Sequence, residues 1–372
     1  MITNSKGEIM LEKAEDISQF WAYDLSYSKD ADLTLLDNVQ FIYELSLAEL
    51  ELKALGADYE ITNGLREFKL NNKSKELDDR IIKRSSYFKT VEKTLTDYFK
   101  IIQKNKTRSV NQYLTHWIYP YKGKFHPQMI RALLNIIGLK EGDTVFEPFS
   151  GSGTTALEAQ LLSINFVGID ISPLCVLQGN VKTKSIYVLD EIIRLKDTLI
   201  SKIKLSLFNN EGDFYKVLGD IENEDVRGFY TLARLLAVSD EARRGREFER
   251  SFIKNLNLMI ESVRDYKEIS GKLNLSLGSI ALKMGDSRNI KLPDNSIDGI
   301  ITSPPYSIAL DYVDNDAHSL EDMGYKLDEI REDFVGVRGK GKEKVDLYNE
   351  DIKKSYSEMH RILKPNKYTV IV

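Results

Sequence analysis

A single cysteine, Cys175, stands in 372 residues, which excludes an internal disulfide and any multi-cysteine metal site. No stretch approaches the roughly 18 consecutive apolar residues that a membrane-spanning helix needs. Met1 to Lys13 mixes charges with isolated apolar side chains and leaves no apolar core for a signal peptide. Internal repeats and low-complexity tracts are missing too. These absences point to a reducing cytoplasm. What is present is ordinary for a globular protein: 42% hydrophobic and 29% charged residues, with length enough for two or three domains and a sizeable core.

The net charge of −5 gives no overall attraction for a polyanion, but the charge is uneven. Residues 1–60 hold thirteen acids against four lysines and no arginine. From Ile101 to Lys140 there is no acid at all, while Lys104, Lys106, Arg108, Lys122, Lys124, Arg131 and Lys140 are basic. Such a segment suits either a polyanionic partner or docking against the acidic N-terminal part of the same chain.

Apolar residues near helical spacing predict helices over 33–55 and 75–103, joined by a connector with a short strand or turn at 56–72. Together they make a helical N-terminal region over 1–110. After Asn111 aromatic residues crowd a short basic stretch, and a helix is expected from Pro127 to Ile137. Thr144 to Phe149 reads as a buried strand, followed by glycines, a helix over 154–162, and a strand at Asn165–Ile169 ending in Asp170. This order opens a doubly wound α/β sheet. A largely helical insert over 186–275 interrupts the alternation, which resumes with strands at 280–284 and 297–302. The α/β domain therefore occupies 111–185 and 276–372. Val335 to Lys344 is expected to be a charged, glycine-bearing loop, before a helix ending near Leu363 and a final strand at 368–372.

Two constellations carry chemistry. The first is Phe146-Glu147-Pro148-Phe149-Ser150-Gly151-Ser152-Gly153-Thr154-Thr155, where a strand ends, glycines let the backbone approach a ligand, and the next helix points its free N–H groups at the same spot. Asp170 follows Gly151 by nineteen positions, at the next strand end, where a carboxylate can accept both hydroxyls of a ribose. Ala156 stands where a third glycine would complete a dinucleotide fingerprint, so the glycines alone do not exclude NAD. The second constellation is Ser303-Pro304-Pro305-Tyr306, after the strand Ile297–Thr302. Successive prolines leave carbonyls without competing N–H groups, and these, with the Ser303 hydroxyl, can hold an amino group by its hydrogens. Tyr306 offers a flat face on which an extruded base can stack.

With Phe-x-Gly-x-Gly at 149–153 and Ser-Pro-Pro-Tyr at 303–306, in this order, the chain resembles the S-adenosylmethionine-dependent amino-methyltransferases of DNA. The resemblance covers about Tyr119 to Val372 outside the insert, and it implies a Rossmann-like methyltransferase sheet. It also implies S-adenosyl-L-methionine as cofactor and duplex DNA with a flipped base as partner. The cofactor residues would be Lys124, Phe125, His126, Pro127, Glu147, Phe149, Gly151, Gly153, Thr154, Thr155, Asp170, Ile171, Asp286 and Ser287. Among these, Lys124 to Pro127 resembles the segment that closes over the methionine end, and Asp286 falls where the family contacts the adenine amino group. Ser303, Pro304, Pro305 and Tyr306 would be catalytic, with no metal. Serine at the head of this motif is typical of N4-cytosine enzymes and Asp or Asn of N6-adenine enzymes, so cytosine N4 is the expected target and adenine N6 the alternative. A C5-cytosine mechanism would need a cysteine nucleophile, whereas Cys175 reads as a helix-packing residue.

Lys122, Arg338, Lys340 and Lys342 are candidates for gripping phosphates. Asp311, Tyr312 and His318 either shape the target pocket or pack. The insert is a possible target-recognition region, though it lies earlier than that family's usual position. The family's sheet continues beyond its fifth strand, inside which this chain stops, so either the sequence is truncated there or a complementing polypeptide completes the domain, and the latter makes a non-catalytic half-enzyme a further alternative. An RNA guanine-N2 methyltransferase shares both motifs and stands as another alternative.

Overall fold

A computed structural model describes residues 31–104, 111–208, 214–306 and 311–372. The acidic stretch before residue 31, together with Lys106 and Arg108, lies outside the described residues.

Residues 31–104 build a small mixed unit in which β1 (Leu33–Leu35), α1 (Ile42–Ala54), β2 (Tyr59–Thr62), β3 (Glu67–Leu70), α2 (Lys75–Arg84), β4 (Phe88–Val91), β5 (Thr94–Leu95) and α3 (Asp97–Ile102) follow one another. The strands pair antiparallel in the order β2-β3-β1-β4-β5. This corrects the expectation of a helical N-terminal region. Helix begins only at Ile42 in the first stretch, and the second breaks into two helices around the β4–β5 hairpin. Burying Leu33, Leu35, Phe68, Leu70, Phe88 and Val91 in one cluster outweighs the local helix propensity of the Lys- and Glu-rich sequence. The hairpin turns on Glu92 and Lys93, both at positive φ, a conformation these residue types do not advertise.

The second unit contains α4 (Pro127–Ile136), β6 (Thr144–Glu147), α5 (Thr154–Leu161), β7 (Asn165–Asp170), α6 (Pro173–Phe208), α7 (Phe214–Gly219), α8 (Glu224–Arg244) and α9 (Phe248–Lys272). It continues with β8 (Ile280–Met284), β9 (Ile297–Thr302), α10 (Tyr312–Asn315), α11 (Ala317–Asp322), α12 (Leu327–Asp333), α13 (Gly341–Ile362) and β10 (Leu363–Ile371). Its strands are all parallel, in the order β10-β9-β6-β7-β8. Both faces are covered, so the central strands read as continuous apolar runs. Val145 and Ile301 pack with α4 and α5 on one face, and Phe146 and Ile300 pack with α13 on the other. The winding reverses between β6 and β9, and in such sheets ligands bind beyond the carboxyl ends of the strands at that point. Residues 186–275 are carried by α6 to α9, the first of which starts at Pro173 directly after β7.

The stretch from Val335 to Lys344, expected as one loop, is divided. α13 begins at Gly341, so Lys342 and Lys344 lie in its first turns, where Glu343 suits the positive end of the helix dipole despite the neighbouring glycines.

The N-terminal unit docks on α4 through buried polar bonds. The Glu51 carboxylate accepts from the Ser86 backbone N–H at 3.0 Å and from Asn135 Nδ2 at 2.7 Å, and Gln128 Nε2 donates to the Ser86 carbonyl at 2.9 Å. Glu51→Ala would leave the Ser86 and Asn135 donors unmet inside the protein, at about 1–3 kcal/mol each. A loss of at least about 2 kcal/mol in urea unfolding is expected, and an unchanged midpoint would show that these bonds do not hold the units together.

Candidate active site

β6 ends in Glu147, and the chain then turns through Ser150 to Gly153 into α5. Gly153 has φ +75°, and a Cβ there would lie 2.6 Å from Gly179 Cα, so the turn is pressed against α6. Gly151, at φ +48°, donates its N–H to Asp170 Oδ2 at 2.7 Å, which joins the ends of β6 and β7. The other Asp170 oxygen accepts from the Ser172 N–H at 2.9 Å. Burial pushes the Asp170 carboxyl up to about 6 in spite of these bonds.

Glu147 is the unusual member. It is buried, and neither carboxylate oxygen nor the neighbouring Thr155 hydroxyl has a hydrogen-bond partner. Burial holds its carboxyl well above the usual range; the Thr155 hydroxyl beside it, close but without a well-formed bond, opposes this in part, and the charge of Asp170 adds to it. An isolated buried carboxylate costs several kcal/mol unless a cation or donor meets it.

These groups line one side of a cavity of about 690 Å³, counting its open mouth. Ser303 and Pro305, beyond the end of β9, line the other side, and Gly285, Asp286 and Ser287 follow β8 into it. Tyr306, just past the prolines, is 58% exposed. A row of rings closes the wall: Tyr121 stacks near Tyr312 at 6.3 Å, and Tyr312 near Phe334 at 6.0 Å. Asp286 binds Arg288 at 2.9 Å. Burial opposes its ionisation, but the bonds and charge of Arg288 hold it below the usual carboxylate range. Ser287 shares a 2.8 Å bond with Ser355 of α13.

The cavity thus gathers Phe125, Glu147, Phe149, Gly151, Thr154, Asp170, Ile171, Asp286, Ser287, Ser303 and Pro305. Other candidates sit elsewhere. Lys124 Nζ donates to the His116 carbonyl at 2.7 Å and to that of Asn111 at 3.1 Å, and burial lowers its ammonium to about 8. His126 precedes α4 without a side-chain cap bond, and Pro127 fills the first helical position. Gly153, Thr155 and Pro304 are buried and do not contribute to the lining of the cavity, although each adjoins a lining residue in the chain. Arg338 is paired with buried Asp351, whereas Lys340 and Lys342 are exposed. Asp311 caps α10 and binds Arg331 at 2.7 Å, and Tyr312 faces the cavity. Asp333, Phe334 and Val335 also line it, and no motif in the sequence marks them.

A sequence profile described as DNA methylase matches residues 5–178. The type II methyltransferase M.BsoBI of Geobacillus stearothermophilus is 28% identical over 360 aligned residues, covering 78% of this chain and 69% of that protein. The type II methyltransferase M.MjaII of Methanocaldococcus jannaschii is 39% identical over 120 residues, covering 32% of this chain and 20% of that one. A tRNA (guanine(10)-N2)-dimethyltransferase of Methanothermobacter thermautotrophicus is 32% identical over 77 residues, 21% of this chain and 22% of its own. Among the described residues no helix is long and apolar enough to cross a membrane. Nothing in these comparisons supports the expected complementing polypeptide.

The unpartnered Glu147 gives a prediction for the protein without ligand. Its folded pKa lies above the unfolded value, so its contribution favours the fold at low pH and is lost as pH rises. Glu147→Leu should therefore be more stable than the wild type at pH 8, by roughly 1–3 kcal/mol from the desolvated group removed. The gain should shrink at pH 5. Urea unfolding at the two pH values checks this, and a destabilised variant at pH 8 would mean that the carboxylate has a partner.

Proposed function

We propose that this chain, which is similar to a DNA methylase profile and to type II methyltransferases, transfers a methyl group from S-adenosylmethionine to the exocyclic amine of a base in duplex DNA, cytosine N4 being the target. The observation that carries this reading is the convergence of two motifs on one cavity. The glycine turn with Asp170 forms one side, and Ser303 with Pro305 forms the other.

The residues fit the cofactor. Asp170 lines the cavity and, beside its bonds to backbone N–H groups at Gly151 and Ser172, offers carboxylate oxygens that can accept from the hydroxyls of a ribose. Unpartnered Glu147 supplies the negative charge that a cationic amino-acid end requires. Bound there, S-adenosylmethionine supplies an electrophilic methyl group that needs alignment more than activation. The rest falls to Ser303 and the Pro304 carbonyl, which accept the hydrogens of the target amine. Held this way, the nitrogen is drawn towards tetrahedral geometry and its developing positive charge is stabilised. No strong general base is required, because the methylated ammonium loses its proton readily. Serine rather than Asp or Asn at position 303 supports cytosine.

Labelled methyl transfer to duplex DNA and to tRNA, followed by mass spectrometry of the nucleosides, tests the reading. N4-methylcytosine in DNA is expected. N6-methyladenine as the only product would move the target base, and N2-methylguanine in tRNA would replace the substrate altogether.

Tyr306 is expected to stack on the extruded base, a contact worth about 1–3 kcal/mol by truncation. Tyr306→Ala should lower turnover on DNA by roughly ten- to a hundredfold, and Tyr306→Phe should keep most of it. Calorimetry should find cofactor affinity unchanged in both. Loss of cofactor binding by folded Tyr306→Ala would reassign this segment to the cofactor pocket.

A further inference from the structure

A second cleft opens between the segment 112–124 and the facing sides of α8 and α9, enclosing about 1170 Å³ counting its open side. Lys122, Lys124, Arg243, Arg244, Arg246 and Lys254 line it, against one acid, Asp240. In a chain whose net charge is −5, this is a concentrated positive surface. Tyr121 belongs to the walls of both cavities, so the two adjoin at its ring. Building on the DNA reading above, we propose that this cleft holds the phosphate backbone of the duplex beside the extruded base.

The arginines are placed for this by the protein itself. α8 ends at Gly245, in the left-handed region, and this turn brings Arg244 and Arg246 onto the same oxygen of Asp240, at 2.6 and 3.2 Å. The other Asp240 oxygen is taken by Ser251 at 3.0 Å and Asn255 at 3.2 Å. One buried carboxylate thus orders two guanidinium groups but neutralises only one. The pair keeps an excess positive charge, with both side chains at least half exposed (56% and 50%). Arg243 donates to the Asn315 carbonyl at 2.6 Å, at the end of the helix that begins with the cavity residue Tyr312, and pairs with the buried Asp316 carboxylate at 3.5 Å. The insert is therefore fastened to the catalytic wall. Lys122 and Lys254 are exposed and have no ion pair among the described residues.

Guanidinium and ammonium groups in an open cleft suit phosphate oxygens along a regular backbone, which position a duplex without reading its sequence. The role assigned to the insert is thus grip and register on the duplex. Releasing counterions from each phosphate contact makes such binding steeply salt-dependent, with a slope near −0.9 per contact for duplex DNA.

The test uses the full chain, a fluorescent duplex of about 20 base pairs, long enough for roughly two helical turns, and a salt titration read by anisotropy. Lys122→Glu/Lys254→Glu should weaken duplex binding at least about tenfold and flatten the slope of log K against log salt by about two. Calorimetry should find its S-adenosylmethionine affinity unchanged. Lys353→Glu, outside both cavities, is the control for added negative charge and should match the wild type. If the double variant binds the duplex with the wild-type slope while the wild type methylates DNA, the cleft is not the DNA surface and only this inference falls. If the wild type neither binds nor methylates duplex but does both with a tRNA transcript, the DNA reading and this inference fall together.

Discussion

Glu158, on the helix that follows the glycine turn, has no exposed surface, and the arrangement of the cavity beside that turn depends on what meets its carboxylate. Tyr113 donates to it at 2.6 Å, His116 Nε2 lies at 2.8 Å, and Arg131 approaches at 3.5 Å. Burial disfavours its charge, but these partners overcome that and hold Glu158 ionised. His116, driven down to about 4 by its own burial, stays a neutral donor. The segment so anchored then runs over the site and delivers Tyr121, Gly123 and Phe125 to the cavity. Lys182 secures the turn from the far side by donating to the Ser152 carbonyl at 2.8 Å, in an interior that depresses its own ammonium. A buried network of this kind is costly when half-made and rigid when complete.

Against that rigid frame, Glu147 is left unsatisfied. Two buried carboxylates eleven residues apart thus differ: Glu158 is met within the protein, and Glu147 is not. Natural proteins keep such local costs where a ligand repays them.

The second unit was legible because each local signal agreed with its neighbours. Strand, glycine turn, helix, strand and acid stand at Thr144 to Asp170 close to the expected bounds, and the strands at 280–284 and 297–302 match theirs. The N-terminal unit was not legible, for a physical reason. Its strands are two to four residues long, too short for period-two alternation to outweigh helix-forming Lys and Glu. The β2–β3 hairpin does turn on Asn63-Gly64, inside the stretch expected to hold a short strand or turn, but the β4–β5 hairpin turns on Glu92-Lys93 without glycine or asparagine. Phe334 and Asp333 were missed because proximity in the fold, not any residue pattern, brings them to the cavity. Arg338 shows a different limit. A basic, glycine-rich stretch looked free for phosphate, but the Arg338 guanidinium is bound to buried Asp351, which also meets Arg288 at 3.3 Å. From sequence, an arginine shows its charge and not its partner.

The order of the parallel strands has a kinetic consequence. The half of the cavity made by Glu147, Gly151 and Asp170 is assembled by β6, α5 and β7, neighbours in the chain whose contacts close short loops. The half made by Ser303 and Pro305 exists only when β9 pairs with β6. There Thr144 donates its N–H to Asp298, 154 residues along, with all four insert helices between them. Closing so long a loop costs little more entropy than closing one half its length, but the search for it is slow. The half of the cavity around Glu147, Gly151 and Asp170 is therefore built from local contacts, and the half around Ser303 and Pro305 from distant ones.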